Sequence, residues 1–425
     1  MAASTLPKRS DNRRERLFRA LAGRARVVTA QGALIALTLA LVVGAVAAPN
    51  SAPGAKKEEG FQTSAPYVIL IDADSGTVLY EKNADQLMAP SSMAKLMTAE
   101  VVFNEIKQDH LKLDDEFPIS EDAWRRGGAP SHTSSMFAEI HSRVKVEDLI
   151  RGMIIHSGND ACLALAEGIS GNEATFVQAM NKRARELGLT KSHFSNATGL
   201  PDPNLRVTAR ELAKLGQYII HTYPEFYPIY GEKEFTWNKI RQQNRNPLLT
   251  AGIGADGMKT GFTTEGGYGL VGSAVQNGMR LLLVVNGLKS AKERGDEARR
   301  LLEFGFRGFE SRVLFGEGQT IGEARLFGGA SRNVSLVGPG MVTLLVPRGT
   351  TDRVLAKIVY TGPVPAPVTE GQPIATLRVF RGENLSLEVP LKAAESVGRG
   401  SLSQRALDGA SELVIGLFRS GVSRL

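Results

Sequence analysis

The chain has 425 residues, 42% of them apolar and 22% charged, with 45 Gly and 19 Pro. It is too long for one core and reads as two or three globular domains, which excludes a disordered, collagen-like or coiled-coil chain. Only one stretch can span a bilayer, so a polytopic membrane protein is excluded, and the net charge of +7 is concentrated at the N-terminus: Lys8, Arg9, Arg13, Arg14, Arg16, Arg19, Arg24 and Arg26 face only Asp11 and Glu15.

That +6 leaves +1 for the rest of the chain, so no nucleic-acid partner is expected. The basic segment is followed by an uncharged run from Val27 to Ala48 and a small-residue exit, Ala45-Val46-Ala47, the order of a secretion signal cleaved after Ala47. An uncleaved N-terminal anchor is the alternative, and either way the body is exported. Residues 48–64 lack periodicity and read as a flexible linker. Tyr67 to Ile71 and Thr77 to Glu81, around Asp72-Ala-Asp-Ser-Gly76, predict a β-hairpin. Met93, Leu96, Met97, Val101, Val102 and Ile106 recur at helical spacing after Pro90, predicting a helix from Ser92 to Ile106. Further helices are predicted over 146–155, 160–169, 173–187 and 208–221. Strands follow near Phe235 and over 257–260, 267–276 and 280–288, then a helix over 293–304.

This order gives an α+β domain over 65–311, helices collected between parts of one antiparallel sheet. From 312 to 392 short apolar runs alternate with Gly, Pro and Asn turns and predict a small all-β domain without a site of its own. A short linker, 393–400, leads to a tail, 401–425. There Leu407, Ala410, Val414, Leu417 and Phe418 fall at three- and four-residue steps, with Arg405, Asp408, Glu412 and Arg419 elsewhere around the helix. This is the pattern of an amphipathic helix lying in a membrane interface, with packing on a neighbouring domain as the alternative. The lone Cys162 lies in a helical pattern and reads as a buried, inert thiol.

Three short motifs carry the chemistry jointly: Ser92-Met-Ala-Lys95, Ser157-Gly-Asn159 and Lys259-Thr-Gly261. Each has decoys. Ser142 to Lys145 also fits S-x-x-K, and Ser10, Ser170 and Ser331 also open S-x-N. Only Ser92 begins a strongly periodic helix, where the three-residue offset brings Lys95 to the same face within reach of the hydroxyl. A serine hydroxyl needs a base, and the six His offer no convincing Ser-His-Asp set. Lysine serves if burial, a helix N-terminus and a second ammonium group, here Lys259, populate its neutral form. His156 is the nearest rival base and otherwise a packed histidine.

With their flanks, Ala89 to Lys95, Leu149 to Ala161, Gln243-Asn-Arg-Asn246 and Asp256 to Thr263, these motifs resemble the serine penicillin-recognising enzymes. The similarity is to the low-molecular-mass penicillin-binding proteins that are D-alanyl-D-alanine carboxypeptidases, and it runs from about Tyr67 to the C-terminus. It implies that Ser92 is acylated by the penultimate D-Ala of a peptidoglycan stem pentapeptide, and equally by β-lactams. Lys95 is then the base, Ser157 a proton relay to the leaving amine and Asn159 a partner of the substrate amide. Lys259 tunes the electrostatics, Thr260 and Arg294 hold the terminal carboxylate beside Gly261, and the N–H groups of Ser92 and Phe262 form the oxyanion hole. Some members carry His where this chain has Phe262. The loop from Gly127 to Phe137, with Ser134 and Ser135, matches the family's loop beside the site. The resemblance calls for no metal and no cofactor. It places the protein at the periplasmic face of the bacterial inner membrane. A β-lactamase-type hydrolase or a catalytically silent wall-binding scaffold are the competing readings; no E-x-x-L-N pattern supports the first, and intact Ser92, Lys95 and Lys259 speak against the second.

Overall fold

The structure, a computed structural model, describes residues 61–351, 353–406, 408 and 409. The expected leader, residues 48–60 of the expected linker, and Leu407, Ala410, Val414, Leu417 and Phe418 of the expected tail helix lie outside them. Among the described residues no helix is long and apolar enough to cross a membrane.

The predicted hairpin forms as β1 (Tyr67–Asp72) and β2 (Val78–Lys82). Next come α1 (Lys95–Lys107), β3 (Glu116–Pro118), α2 (Glu121–Gly127), β4 (Arg143–Lys145), α3 (Val146–Ile155), α4 (Asn159–Ser170), α5 (Glu173–Glu186) and α6 (Ala209–Thr222). Polar caps start several of these helices: Ser120 accepts from Ala123 N, Asn172 from Thr175 N and Thr208 from Glu211 N. A small hairpin, β5 (Glu234–Trp237) and β6 (Ile240–Gln243), precedes three long strands, β7 (Ala255–Thr263), β8 (Gly267–Gln276) and β9 (Met279–Leu288), and then α7 (Ala291–Gly308).

The main sheet has the order β2-β1-β9-β8-β7 and is antiparallel throughout. Both of its faces are covered, which explains the nearly unbroken apolar runs of β8 and β9. Strand alternation divides the core: Ile69, Ile71, Leu282 and Val284 pack on the helical layer with Leu96, Met97 and Phe103. Val68, Leu70, Leu281, Leu283 and Val285 pack against Ala298, Leu301 and Leu302 of α7. Burying one leucine-sized side chain contributes roughly 1.5–3 kcal/mol, so this double-sided layer holds the sheet rigid beneath the site. β7 is left as the edge strand facing the turn that carries Ser92.

A separate apolar cluster fills the all-β part. Its strands are β10 (Phe309–Phe315), β11 (Thr320–Phe327), β12 (Asn333–Val337), β13 (Val342–Pro347), β14 (Val354–Val359), β15 (Val364–Pro365), β16 (Pro373–Arg381) and β17 (Asn384–Ala393). Six of them form a sheet in the order β14-β16-β17-β12-β11-β15, and β10 pairs with β13. Leu345 reaches into the core under α7, and Thr77 Oγ1 donates to the Ser386 carbonyl at 2.8 Å, so the two parts are in contact. At the start of the described residues, Phe61 packs edge-on against Tyr80 and tilted against Phe304, while Thr63 and Ser64 donate to Glu297 and Glu293 of α7. The stretch read as a linker therefore has its last residues fastened to α7.

Candidate active site

Ser92 lies in a 3₁₀ turn, Ser91–Ala94, that feeds into α1. The predicted α-helix begins three residues later than its periodicity suggests, because the chain enters from Pro90 through Ser91 at φ +51°. In a 3₁₀ turn positions three apart eclipse, which aligns Lys95 with Ser92 more directly than an α-helix does. Lys95 Nζ is 3.1 Å from Ser92 Oγ and 2.7 Å from Asn159 Oδ1, and it also donates to the Thr198 carbonyl. The turn presenting Thr198 depends on Gly199, at φ +78°: a Cβ there would lie 2.1 Å from the Ser91 carbonyl oxygen.

The three partners of Lys95 are chemically unequal. Asn159 Oδ1 and the Thr198 carbonyl only accept, so they hold two N–H groups in either charge state. Ser92 Oγ both donates and accepts, so a neutral amine turns its lone pair toward that hydroxyl. Burial pushes the Lys95 pKa down, and the nearby Arg245 guanidinium pushes it the same way. Lys259 is held well below its ordinary value by burial first, then by Lys95 and Arg245. Burial and the neighbouring cations thus push both lysines in the same direction, toward the neutral form.

Ser157 forms the corner between α3 and α4 at φ +61°, a conformation that costs about 1–3 kcal/mol for a residue other than glycine. Its Oγ accepts from Lys259 Nζ at 3.0 Å, and Lys259 also donates to the Thr260 carbonyl at 3.3 Å. Asn159 Nδ2 donates to Thr133 Oγ1 at 2.9 Å, and Asn159 N to the Ser134 carbonyl at 2.7 Å.

These elements enclose a cavity of about 380 Å³, lined by Ser92, Ser157, Thr260, Gly261, Phe262 and Arg294, joined by Ser134, Arg245, Tyr268 and Ala291. Lys95, Asn159 and Lys259 sit behind it, almost fully buried. All nine residues singled out from the sequence are therefore gathered here. Gly261 lies so close to the nucleophile turn that a Cβ would stand 2.8 Å from the Pro90 carbonyl oxygen.

Arg245 and Tyr268 were not singled out by sequence reasoning, and Ser134 was named there only as part of the loop beside the site. Arg245 lies in the Gln243 to Asn246 stretch, which carried a resemblance without a role; Tyr268 is a strand tyrosine with no local signal. Arg245 donates to Ser134 Oγ at 2.6 Å, and Arg294 sits 5.7 Å above the Tyr268 ring. Burial lowers the pKa of both guanidinium groups. Neither forms a salt bridge among the described residues, and Arg294 Nε is buried without a hydrogen-bond partner. Two desolvated cations without a carboxylate form a site for an anion.

The decoys fall elsewhere. Ser142 and Lys145 flank and enter strand β4, where a three-residue offset points to opposite faces. Ser170 ends α4, remote from Ser157 at the other end of that helix. His156 is buried, its Nε2 2.9 Å from the Phe235 carbonyl and its Nδ1 bonded by Gln242; burial lowers its pKa, and it ties the β5–β6 hairpin to α3. Cys162 is buried, with its thiol pushed up to about 11 by desolvation.

A serine hydroxyl backed by a buried lysine, with a Ser-x-Asn corner and a Lys-Thr-Gly strand edge converging on it in this α+β scaffold, defines a serine acyl-transfer enzyme of the penicillin-recognising class. Residues 53–290 match the family described as D-alanyl-D-alanine carboxypeptidase, and residues 309–399 match the penicillin-binding protein 5 C-terminal domain. The chain belongs to the D-alanyl-D-alanine carboxypeptidase family. It is 40% identical to the D-alanyl-D-alanine carboxypeptidase DacC of Escherichia coli K12 over 85% of this chain and 91% of that one. Penicillin-binding protein 5 from Haemophilus influenzae has the same fold, with a TM-score of 0.70 and 38% identity over 82% of this chain and 100% of that one. Penicillin-binding protein D2 from Listeria monocytogenes, solved with ampicillin bound, matches 58% of this chain and 98% of its own at a TM-score of 0.52 and 31% identity.

Proposed function

We propose that the protein is an exported serine D-alanyl-D-alanine carboxypeptidase that removes the terminal D-Ala from peptidoglycan stem pentapeptides and is acylated by β-lactams at the same serine. The observation that carries this reading is the Ser92–Lys95 pair opening into a cavity that also holds two uncompensated guanidinium groups. Thr260 and Arg294 bind the terminal carboxylate, with Arg245 as a second cation. Ser92 Oγ attacks the penultimate carbonyl while Lys95 Nζ takes its proton. The backbone N–H groups of Ser92 and Phe262 hold the oxyanion, each worth about 10²–10³ in rate. As the C–N bond breaks, Ser157, bonded to Lys259, relays a proton to the departing amine. Asn159 positions the substrate amide. The proton taken from Ser92 leaves with the departing amine, so Lys95 is neutral again; water then attacks the ester, Lys95 takes its proton and returns it to Ser92 Oγ as the acyl C–O bond breaks and the shortened peptide is released.

The basic leader supports export, and the tail pattern supports a peripheral contact with the membrane surface through residues 401–425. The test is direct: Ser92→Ala abolishes both D-Ala release and covalent β-lactam capture, whereas Ser142→Ala retains both. A β-lactam adduct found by mass spectrometry on a peptide lacking Ser92 would overturn the assignment.

A further inference from the structure

The two N–H groups of the oxyanion hole come from separate elements, Ser92 from the 3₁₀ turn Ser91–Ala94 and Phe262 from the edge strand β7. Among the described residues no backbone hydrogen bond joins that turn to β7. Their spacing therefore falls to side chains and packing, although an oxyanion donor is effective only when held about 2.7–3.1 Å from the developing charge. A side-chain link spans the gap: Ser91 Oγ and Thr263 Oγ1 share a hydrogen bond of 2.8 Å. Ser91 immediately precedes one donor residue and Thr263 immediately follows the other. Both ends of the link are held. Ser91 is buried at φ +51°, a conformation that costs about 1–3 kcal/mol away from glycine and persists where the surroundings fix it. Thr263 Oγ1 also accepts from Gly266 N at 3.0 Å, in the turn to β8. A Cβ at Gly266 would stand 2.7 Å from Ser91 Oγ and 3.0 Å from Thr263 Oγ1, so the turn closes tightly over the pair.

We propose that Ser91 and Thr263 are positioning residues whose hydroxyl–hydroxyl bond sets the spacing of the Ser92 and Phe262 N–H groups, and with it the grip on the tetrahedral intermediate. The inference rests on the serine acyl-enzyme reading above. Neither residue lines the catalytic cavity, so both act through the backbone of their neighbours. The hole is aimed at the oxyanion rather than the ground-state carbonyl, so a displaced donor slows acylation while leaving the non-covalent complex little changed. Removing a whole donor costs about 10²–10³ in rate, and a donor that is displaced but still present costs less, about tenfold. Because the two hydroxyls form one link, losing both is no worse than losing either.

The test compares the full-length chain with Thr263→Val, Ser91→Ala, the double variant and Thr263→Ser. Valine removes the hydroxyl but keeps the branched shape suited to a strand, and alanine keeps a Cβ so that the backbone of the turn is not loosened. Stopped-flow measurements separate the Kd of the non-covalent penicillin complex from the acylation rate constant. Inhibition by an N-acylaminoalkyl boronic acid is measured alongside: Ser92 Oγ adds to boron, its proton passes to Lys95, and the tetrahedral adduct directs a boron-bound oxygen into the hole. Each single variant should acylate about tenfold more slowly and bind the boronic acid about tenfold more weakly, with the penicillin Kd within about twofold of wild type. The double variant should match the singles, and Thr263→Ser should stay within about twofold of wild type throughout. Losses that multiply in the double variant, a loss confined to Kd, no loss in either single, or a Thr263→Ser as slow as Thr263→Val overturns the positioning role. A wild-type chain acylated at another serine, or at none, overturns the acyl-enzyme reading itself.

Discussion

Lys95 shows how a single side chain is prepared for its task. Two of its three hydrogen-bond partners can only accept, and burial disfavours its charge, so loss of a proton leaves the lone pair directed at Ser92. Arginine keeps the positive charge but not this option, because a guanidinium stays protonated. Lys95→Arg is therefore expected to be as impaired in penicillin acylation as Lys95→Ala, by about 10²–10⁴ in stopped-flow measurements; near-normal acylation by the arginine variant would reduce Lys95 to a fixed charge. The wild-type pH profile follows from the same shift. With the lysine pKa below its ordinary 10.5, the neutral base accumulates at lower pH than in a free lysine. Acylation should rise with pH along a limb whose midpoint lies below that value; a midpoint at or above it would contradict the role.

Between residue and fold stands the loop from Gly127 to Ala138, which has little regular structure yet forms one wall of the site. The buried Asp160 carboxylate organises it, accepting from Ser135 Oγ at 2.6 Å, Met136 N at 2.9 Å and Ala138 N at 3.2 Å, and from Ala161 N at 3.0 Å within its own helix. The loop thereby presents Ser134 to Arg245 and to the backbone of Asn159. Asn at position 160 would keep the shape but turn an NH₂ toward groups that donate, leaving at least one buried donor unpaired at a cost of about 1–3 kcal/mol. Asp160→Asn should lower the melting temperature, speed hydrogen exchange at Met136 and Ala138, and slow acylation. Unchanged exchange protection in residues 134–138 would show that the carboxylate does not hold the loop. The helices and strands around it were largely legible in the sequence: the predicted helix over 146–155 coincides with α3, and the strand over 267–276 with β8. The loop was not, because its order comes from one carboxylate contributed by another element.

For the molecule as a whole, the site and the end of the chain lie in different parts of the fold. Every side chain lining the catalytic cavity precedes β10, whereas residues 401–406 follow the all-β part, and Asp408 accepts there from Gly328 N at 2.9 Å. Truncation before Ser401 should abolish recovery with anionic liposomes in flotation while leaving D-Ala release intact. Replacing Leu417 and Phe418 together by Asp should act like the truncation, because the carboxylates resist entering an apolar layer. Equal recovery of all forms would favour packing of the tail on the all-β part.

By itself the sequence determined the α+β class and the all-β part after it, because these rest on local periodicity, and it nominated Ser92 through its short offset to Lys95. It also separated Ser92 from Ser142, since only one of them opens an apolar helical pattern. Tertiary structure decided what depends on residues far apart in the chain. Arg245 becomes a site residue only because its stretch folds against Ser134 and α7, and Tyr268 only because β8 pairs Phe262 with it. The balance of charge between Lys95 and Lys259 likewise needed the burial of both and the position of Arg245, quantities set by three-dimensional packing that no spacing along the chain encodes.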